Sequence, residues 1–310
     1  MLITGVTGLL GSSICVLATS EYDVFGVARH TSVISPKCTL VHLDLESREE
    51  TVRLLNETRP DVIVHCAAIT DVDRCEANPE AAWKLHVDAS RTLAEWAEMH
   101  NSSIVHVSTD SVFDGRTGNY SELDSPAPLN EYARTKLAGE EAVRSANPAA
   151  LIVRANFYGV GGKGNSYAEW ILSTLASRQQ LRGFEDVFFN PLPVGLLTET
   201  ILELLAGGAA GTFHVGARNA CSKYEFACQF ADMLGFDADR VSRISVDEFP
   251  FKARRPKDSS LDVGKVSRFL GRKMPTVQEG LIEFKKQLEN EYRTLPGKKP
   301  HVLVEAPVTQ

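Results

Sequence analysis

Tyr132 and Lys136 are the residues whose types and spacing best suit proton transfer. The stretch Tyr132-Ala-Arg-Thr-Lys136 lies in segment 131–145, whose pattern predicts a helix. A spacing of four places the phenol and the ammonium on one helix face, a turn apart. A nearby ammonium favours the phenolate and lowers the pKa of a tyrosine, so the phenol can donate or accept a proton near neutral pH. This spacing also occurs by chance on exposed helices, so its meaning depends on neighbouring motifs.

A strand that ends in hydroxyl groups precedes this helix. The apolar run 104–107 is followed by Ser108, Thr109 and Asp110. A side chain at the carboxyl end of a parallel strand faces the ligand crevice. Thr109 or Ser108 could therefore hydrogen-bond a substrate oxygen while Tyr132 moves the proton. The alternative is a strand-end turn that these polar side chains cap.

A glycine turn follows the first strand and opens a helix. Gly5, Gly8 and Gly11 are spaced G-x-x-G-x-x-G, not the G-x-G-x-x-G of the common dinucleotide fingerprint. A tight turn, a close phosphate approach and helix–strand packing each require a residue without a side chain. The helix N-terminus offers N–H groups and partial positive charge to a pyrophosphate. We expect a dinucleotide on Gly5, Thr7, Gly8, Leu9, Leu10 and Gly11; the alternative is a purely structural turn.

Arg29 predicts which dinucleotide binds. An NAD-binding domain would place Asp or Glu on the ribose 2′-hydroxyl about 20 residues beyond the glycines. The second strand ends here in Val27-Ala28-Arg29-His30 instead. An arginine at that position would pair with a 2′-phosphate. We therefore predict NADP (NADPH) over NAD, with a solvated loop residue as the alternative for Arg29.

Two further strand ends would complete the cofactor groove. Asp44 and Leu45 end the third predicted strand, where adenine would lie. Ala67, Ala68 and Ile69 follow the fourth strand, and small residues there would let the backbone approach the cofactor. Taken by themselves, the two alanines are better explained by ordinary core packing.

Alternation of short apolar runs with helical segments, such as 49–58, 79–99 and 131–145, predicts an α/β fold. Continuous apolar runs suit strands buried on both faces, so we expect a doubly wound parallel sheet, Rossmann-like, with a smaller C-terminal α/β substrate subdomain. We assign residues 1–155 to an NADP-binding domain to which later segments return. Residues 156–292 form most of the substrate subdomain, and 293–310 a disordered tail. Ser222 with Glu225 predicts a capped helix over 222–234.

Composition excludes several other classes of protein. The chain has 310 residues, a net charge of −7 and 43% hydrophobic residues, as in ordinary globular proteins. The acidic balance disfavours nucleic-acid binding, and no apolar run is long enough to span a membrane. Six scattered cysteines without a Cys-x-x-Cys pair argue against a disulfide scaffold or a zinc ribbon. The first residues leave no room for a signal peptide. We expect a reduced, cytoplasmic protein without a metal site.

Several motifs in combination resemble an extended short-chain dehydrogenase/reductase, and more narrowly the dTDP-4-dehydrorhamnose reductase group. The resemblance covers about residues 1–290. Its main motifs are the glycine turn, Ser108-Thr-Asp-Ser-Val-Phe-Asp-Gly115, the Tyr132–Lys136 stretch and Arg154-Ala-Asn-Phe-Tyr-Gly159. Segments 59–68, 126–130, 135–140, 254–256 and 260–262 also match.

The resemblance implies NADPH-dependent reduction of a 4-keto sugar attached to a nucleoside diphosphate. It implies that Tyr132 protonates the sugar oxygen, that Lys136 holds the nicotinamide ribose and tunes Tyr132, and that Thr109 polarises the carbonyl. An arginine fork could bind the diphosphate. The expected partners are the nucleotide sugar and a second copy of the chain in a homodimer. The expected substrate-binding residues are Thr109, Asp110, Ser111, Asn156, Phe157, Arg254 and Arg255.

Departures from the family pattern leave the sugar open. Ser111 and Phe157 stand where the family has a tyrosine and a tryptophan, and segment 184–192 lacks the expected Gly-x-Pro-Thr. A nucleotide-sugar epimerase is one alternative. A dehydratase is disfavoured because Asp110-Ser111 offers one acid where dehydratases have two. The other alternative is a non-catalytic, cofactor-binding regulator that resembles the β subunit of methionine adenosyltransferase.

Overall fold

The central sheet has seven strands, all parallel. The structure, a computed structural model, describes residues 1–29, 38–161 and 166–294. In this part of the chain the strand order is β11-β6-β5-β4-β1-β2-β3, so the order reverses direction beside β1. The predicted doubly wound parallel sheet is confirmed. The strands are β1 (Leu2–Thr4), β2 (Val24–Ala28), β3 (Cys38–His42), β4 (Val62–His65), β5 (Ser103–Thr109), β6 (Leu151–Ala155) and β11 (Gly211–Val215).

Alternate residues of the strands build a core on each face of the sheet. One core contains Leu2, Ile63, Ile104 and Ile152, and the other contains Ile3, Val64, Val105 and Val153. The first core is covered by α2 (Arg48–Thr58), α4 (Pro79–Trp83), α5 (Ala89–Met99) and α6 (Glu131–Ala146), with α3 (Val72–Ala77) beside them. The second is covered by α1 (Leu9–Ala18) and α8 (Val194–Ala206). Burial on both faces explains why these strands are continuous apolar runs.

A smaller set of elements packs beyond β6. Its strands pair as three two-stranded sheets: β7 (Phe157–Tyr158) with β10 (Leu192–Pro193), β8 (Leu181–Phe184) with β13 (Val241–Ile244), and β9 (Phe188–Phe189) with β12 (Cys221–Ser222). Its helices are α7 (Tyr167–Ala176), α9 (Lys223–Leu234), α10 (Gly264–Leu270) and α11 (Val277–Thr294). Ser222 and Glu225 form the predicted capping box of α9. Helix α11 extends into the predicted tail, and residues 295–310 lie outside the described residues.

The segment 79–99 differs from the single helix that its pattern predicts. Between α4 and α5 the turn Lys84–Asp88 is a π-helix, which holds one more residue per turn than an α-helix. The carbonyl of His86 in this turn accepts a hydrogen bond from Ser90 Oγ at 2.7 Å. It also occupies the space that a Cβ on Gly139 of α6 would need. The wider turn therefore forms where two helices meet unusually closely.

Four buried histidines lie in the core, and burial keeps each of them neutral. Desolvation lowers the pKa of His65 and of His86 to about 3, helped by the positive charge of Lys136. Desolvation lowers the pKa of His106 well below its usual value, and that of His214 to about 4. Neither ring nitrogen of His106 has a hydrogen-bond partner among the described residues. The folded structure therefore favours the neutral form of each of these four rings.

The described residues contain no helix that combines the length and the apolar character needed to cross a bilayer.

The glycine turn is fixed by contact with the neighbouring strand end. Gly5 has a φ of +65°, and a Cβ there would lie 2.7 Å from the backbone nitrogen of Ala67. A Cβ on Gly11 would collide with the backbone of Gly5. Gly5 is therefore required by its positive φ as well as by space, whereas Gly11 is required by space alone.

Gly11→Ala should lower the free energy of unfolding by about 1–3 kcal/mol, because the added methyl group overpacks the start of α1 against the Gly5 backbone. Urea unfolding measures the change. Val16→Ala alters an exposed position of the same helix and should change the free energy by less than about 0.5 kcal/mol. Equal stability of Gly11→Ala and the parent protein would contradict the close approach.

Lowering the pH from 7.5 to 5.5 should destabilise the protein by about 1 kcal/mol for each buried histidine. In the unfolded chain these histidines bind protons below about pH 6.5. In the folded chain His65 and His214 bind them only near pH 3–4, so stability is lost as the pH falls through 6.5. Denaturant unfolding at several pH values measures the slope. His106→Phe should reduce the slope by about a quarter, while His42→Gln, an exposed control, should leave it unchanged. A pH-independent unfolding free energy would contradict neutral burial.

Candidate active site

A cavity of about 600 Å³ runs along the carboxyl ends of the strands. Its floor is the turn between β1 and α1, and its walls are the ends of β2 to β5, Tyr132 on α6 and the segments around β7 and the start of α7. Crevices at this edge, beside the point where strand order reverses, are where ligands bind in doubly wound sheets. The position of the cavity follows from the topology alone.

Most of the predicted cofactor residues line this cavity. They are Gly5, Thr7, Gly8, Leu9, Leu10, Gly11, Arg29, Asp44, Leu45, Ala67, Ala68 and Tyr132. Ile69 and Lys136 are buried instead behind the lining. The structure therefore brings together segments that are up to 127 positions apart in the sequence.

The N-terminus of α1 is suited to an anion. Its N-cap is Gly8, and among the described residues no side chain caps the helix by a hydrogen bond. The first peptide N–H groups are thereby left for a ligand, and the helix dipole adds partial positive charge. Arg29 is exposed at the rim of the same cavity, next to the strand end that carries Asp44. These residues fit a dinucleotide with an additional phosphate near Arg29.

Tyr132 reaches the cavity from the first turn of α6. Asn130 caps this helix by accepting a hydrogen bond from the backbone N–H of Ala133 at 2.9 Å. The phenol lies close to the hydroxyl of Thr109, at the end of β5. Desolvation raises the pKa of Tyr132 to about 12, although the neighbouring Thr109 hydroxyl acts in the opposite direction. The phenol is therefore protonated at neutral pH.

The pKa of Tyr132 is raised, not lowered, contrary to the expectation from its spacing with Lys136. The Lys136 side chain is buried, and Nζ donates a hydrogen bond to the carbonyl of Val107 at 2.7 Å. Desolvation also lowers the pKa of Lys136 itself to about 8. The effect of burial on Tyr132 thus outweighs any favourable effect of the ammonium, a balance that helical spacing alone does not reveal.

Asp110 is held by four donors beside the catalytic candidates. Its carboxylate accepts hydrogen bonds from Asn156 Nδ2 at 2.9 Å and from Ser259 Oγ at 2.7 Å. The hydroxyls of Thr109 and Ser111 also donate to it, at 3.0 and 3.2 Å. Such a carboxylate is fixed in place and fixes its donors in turn. Ser259 was not expected in this group, because it lies far along the chain.

The predicted substrate residues separate into two groups. Thr109, Asp110, Ser111, Asn156 and Phe157 line the cavity.

Arg254 and Arg255 lie outside the lining that the described residues form. Arg255 pairs with Asp73 at 3.1 Å, and its guanidinium lies 4.5 Å from the ring centroid of Phe251. Arg254 is exposed, and its carbonyl accepts a hydrogen bond from Asn130 Nδ2 at 2.8 Å. The contact of this segment with the start of α6 is therefore a hydrogen bond to the Arg254 backbone and not an ion pair of the arginines.

Other lining residues escaped sequence reasoning. They include Val27, Cys66, Thr70, Leu85, Ser166, Tyr167 and Glu169. Ser166 and Glu169 form the capping box of α7, a pattern that could have been read from the sequence. The ammonium of Lys223 lies 4.8 Å from the ring centroid of Tyr167 and 5.4 Å from that of Phe189. Nothing in the local sequence pattern marks this cation as close to the cavity.

A buried ion pair supports α6 from beneath the cavity. Glu140 is inaccessible to solvent and accepts hydrogen bonds from Arg154 Nη2 at 2.7 Å and Nε at 2.9 Å. Ser108 also donates to this carboxylate, and the Arg154 guanidinium lies 5.2 Å from the ring centroid of Phe113. A bidentate arginine–carboxylate pair of this kind fixes the relative orientation of the two side chains as well as neutralising their charges. The pair therefore sets the position of α6 relative to β6.

Comparison with known proteins agrees with this geometry. The family described as RmlD substrate binding domain matches residues 1–290. The probable low-salt glycan biosynthesis reductase Agl14 of Haloferax volcanii is 39% identical over 285 residues, which cover 90% of this chain and 95% of that protein. Methionine adenosyltransferase 2 subunit beta of Rattus norvegicus is 33% identical, with 89% of this chain and 84% of that protein covered.

A solved structure shares both the fold and the sequence pattern. The dTDP-4-dehydrorhamnose reductase of Bacillus anthracis, determined in complex with NADP, superimposes with a TM-score of 0.83 at 30% identity. The match covers 92% of this chain and 98% of that one. The predictions of an oxidoreductase family and of a nicotinamide cofactor agree with these relatives. The chain belongs to the RmlD substrate-binding-domain family of extended short-chain dehydrogenases/reductases.

Proposed function

We propose that the protein catalyses NADPH-dependent reduction of a 4-keto group on a nucleoside-diphosphate deoxysugar. The observation that carries this proposal is that Tyr132 and Thr109 line the same cavity as the uncapped start of α1. One end of the cavity thus suits the phosphates of a dinucleotide, and the other offers a phenol and a hydroxyl. The proposal includes a cytoplasmic location and is compatible with a homodimer.

Residues of the glycine turn and Arg29 would hold the cofactor. The N–H groups at the start of α1 would bind the pyrophosphate, and Arg29 would pair with the 2′-phosphate. Bound nicotinamide supplies a hydride to the carbonyl carbon of the sugar. We propose that Lys136 binds the nicotinamide ribose. Its ammonium has three protons and donates one of them to the carbonyl of Val107, a residue that lines the cavity, so the others can be donated to the ribose.

Tyr132 would donate the proton that completes the reduction. A phenol with a pKa near 12 is protonated at pH 7, as a general acid must be. The Thr109 hydroxyl would orient the sugar oxygen beside the phenol. Thr109 is itself held by Asp110 at 3.0 Å, so its position is fixed before the sugar enters.

The substrate would lie across the junction of two regions, which we assign as residues 1–155 and 156–292. Asp110, Ser111, Asn156 and Phe157 would contact the sugar, since they line the cavity next to Thr109. We propose Arg254 and Arg255 as ligands of the diphosphate. Arg254 is the better placed for that role because it is exposed, whereas Arg255 is already paired with Asp73.

A regulatory role without turnover is the second candidate. It is favoured by the 33% identity with methionine adenosyltransferase 2 subunit beta over most of the chain. A regulator could retain a cofactor-binding cavity and even the tyrosine. Turnover by the purified chain without a partner separates the two roles. The absorbance of NADPH measures the reduction of a panel of nucleoside-diphosphate 4-keto sugars. If the chain binds NADPH but reduces none of these sugars, the regulatory role is favoured.

Tyr132→Phe should reduce kcat by about 100-fold or more, because general acid catalysis contributes that much, while the Kd for NADPH changes by less than about twofold. Steady-state kinetics and cofactor titration measure the two quantities. Tyr22→Phe, which removes a phenol packed on the core away from the cavity, should keep full activity. Retention of activity in Tyr132→Phe would remove this residue as the proton donor.

Arg29→Ala should raise the Kd for NADPH by about 10-fold or more and leave the Kd for NADH nearly unchanged, because a charge-assisted hydrogen bond to the 2′-phosphate is lost. Fluorescence titration with both cofactors measures the preference. Arg53→Ala removes an exposed arginine of α2 that pairs with Glu50 of the same helix, and it should change neither constant. An unaltered NADPH-to-NADH preference in Arg29→Ala would show that Arg29 does not select the cofactor.

A further inference from the structure

His86 connects two parts of the proposed active site. It lies in the π-helical turn Lys84–Asp88 and is 1% exposed. Its Nε2 accepts a hydrogen bond from the backbone N–H of Ile69 at 2.9 Å, and its Nδ1 lies 2.8 Å from Thr135 Oγ1. The ring also meets the ring of Tyr132 edge to face, with the centroids 5.9 Å apart. One side chain therefore contacts the strand end of β4 and the first turns of α6.

The hydrogen bonds define the tautomer of His86. Since Nε2 accepts from a peptide N–H, the ring proton must be on Nδ1. Nδ1 then donates to Thr135 Oγ1, whose own proton goes to the carbonyl of Glu131 at 2.8 Å. Both nitrogens of a neutral ring are thus satisfied. An added proton would place two donors, Nε2–H and the N–H of Ile69, against each other.

The backbone of His86 is fixed as firmly as its ring. Its carbonyl accepts from Ser90 Oγ and fills the space where Gly139 has no side chain. Since Gly139 is on α6, the π-turn and this helix are in backbone contact. His86 cannot move without disturbing α6 or breaking these hydrogen bonds.

The two ends of this connection matter for the proposed reaction. Ile69 directly follows Ala67 and Ala68, which line the cavity where the cofactor would lie. Thr135 is flanked on α6 by Tyr132 and Lys136, the proposed proton donor and ribose ligand. The distance between the cofactor wall and the proton donor is therefore set through the imidazole of His86.

We propose that His86 is a positioning residue that holds Tyr132 in register with the cofactor-binding strand end. The inference rests on the proposed function, because it assigns His86 a role in that reaction. His86 touches neither reactant in this role and acts through Thr135 and Ile69. A loss of its hydrogen bonds would let the phenol shift relative to the carbonyl, and a displacement of about 1 Å can cost about 100-fold in rate.

His65 provides a matched control for a merely structural role. It is buried to the same extent, 1% exposed, and belongs to the same group of histidines. Its hydrogen bonds go to Thr4 at 2.7 Å and Ser90 at 3.0 Å, and among the described residues neither ring nitrogen bonds to α6. Ser90 Oγ donates its own proton to the His86 carbonyl, and this hydrogen bond does not require the His65 ring. Substitution of His65 should therefore cost stability without moving the phenol.

The kinetic test compares His86→Phe with His65→Phe. His86→Phe should lower kcat by about 10- to 100-fold, with the Kd for NADPH changed by less than about threefold. His65→Phe should lower Tm by a similar amount and keep kcat within about twofold of the parent value. His86→Gln, which offers both an acceptor and donors, should recover part of the lost kcat. Equal losses of kcat in His86→Phe and His65→Phe would overturn the proposal.

Thr135→Val breaks the same connection from the other side with little change in volume, and it carries the test if His86→Phe does not fold. Its kcat should fall while the Kd for NADPH is preserved, as in His86→Phe. An unchanged kcat in Thr135→Val would overturn the role of this hydrogen bond.

Hydrogen–deuterium exchange tests the connection without any turnover. His86→Phe should speed amide exchange in segments 67–70 and 131–136 together, whereas His65→Phe should leave 131–136 unchanged. Unchanged exchange in both segments of His86→Phe would overturn the proposal. If the parent protein reduces no keto sugar, the proposed function fails, and coupled exchange would then establish His86 as the link between cofactor wall and α6 without that reaction.

Discussion

The parallel arrangement of the strands is the constraint on which the rest of the structure depends. Because all strands of the main sheet run in the same direction, their carboxyl ends meet at one edge, and the loops that follow them open there. The turn at Gly5, the alanines after β4 and the hydroxyl of Thr109 become neighbours for this reason. The close approach of Gly5 to the backbone of Ala67 leaves no space there for a side chain.

Helix α6 carries Tyr132, the proposed proton donor, and several contacts hold this helix in place. Its start is capped by Asn130, which also reaches the carbonyl of Arg254. Its middle is fixed by the buried pair of Glu140 and Arg154, and its inner side by the π-turn. Each contact restrains a different direction of movement. A helix fixed in this way can present a phenol at a constant place without help from a ligand.

The sequence carries enough information for the sheet, the helices and most of the cavity. Continuous apolar strands and the glycine turn depend on local pattern, and they are predicted correctly. The π-turn is missed because it results from contact between His86 and Gly139, which no local spacing expresses. The hydrogen bond from Ser259 to Asp110 is missed for the same reason, since the two residues are 149 positions apart.

The pKa of Tyr132 shows a different limit of sequence reasoning. Helical spacing correctly places Lys136 one turn away, but the sign of the pKa change depends on burial, which only the assembled fold determines. Arg255 is similar, because its ion pair with Asp73 depends on a contact across 182 positions. Residue types and order thus predict which groups gather at the crevice, while packing decides their protonation and their partners.

The return of the chain to the main sheet has a consequence for how such proteins diversify. Strands β6 and β11 pair directly, although residues 156–210 separate them in the sequence. The excursion between them supplies Asn156, Phe157 and Tyr167 to one wall of the crevice. Since the entropic cost of closing a loop rises only slowly with its length, this excursion can be exchanged or lengthened without dismantling the layer beneath it. Changes in this excursion can therefore alter which molecules enter the crevice while the parallel sheet keeps its architecture.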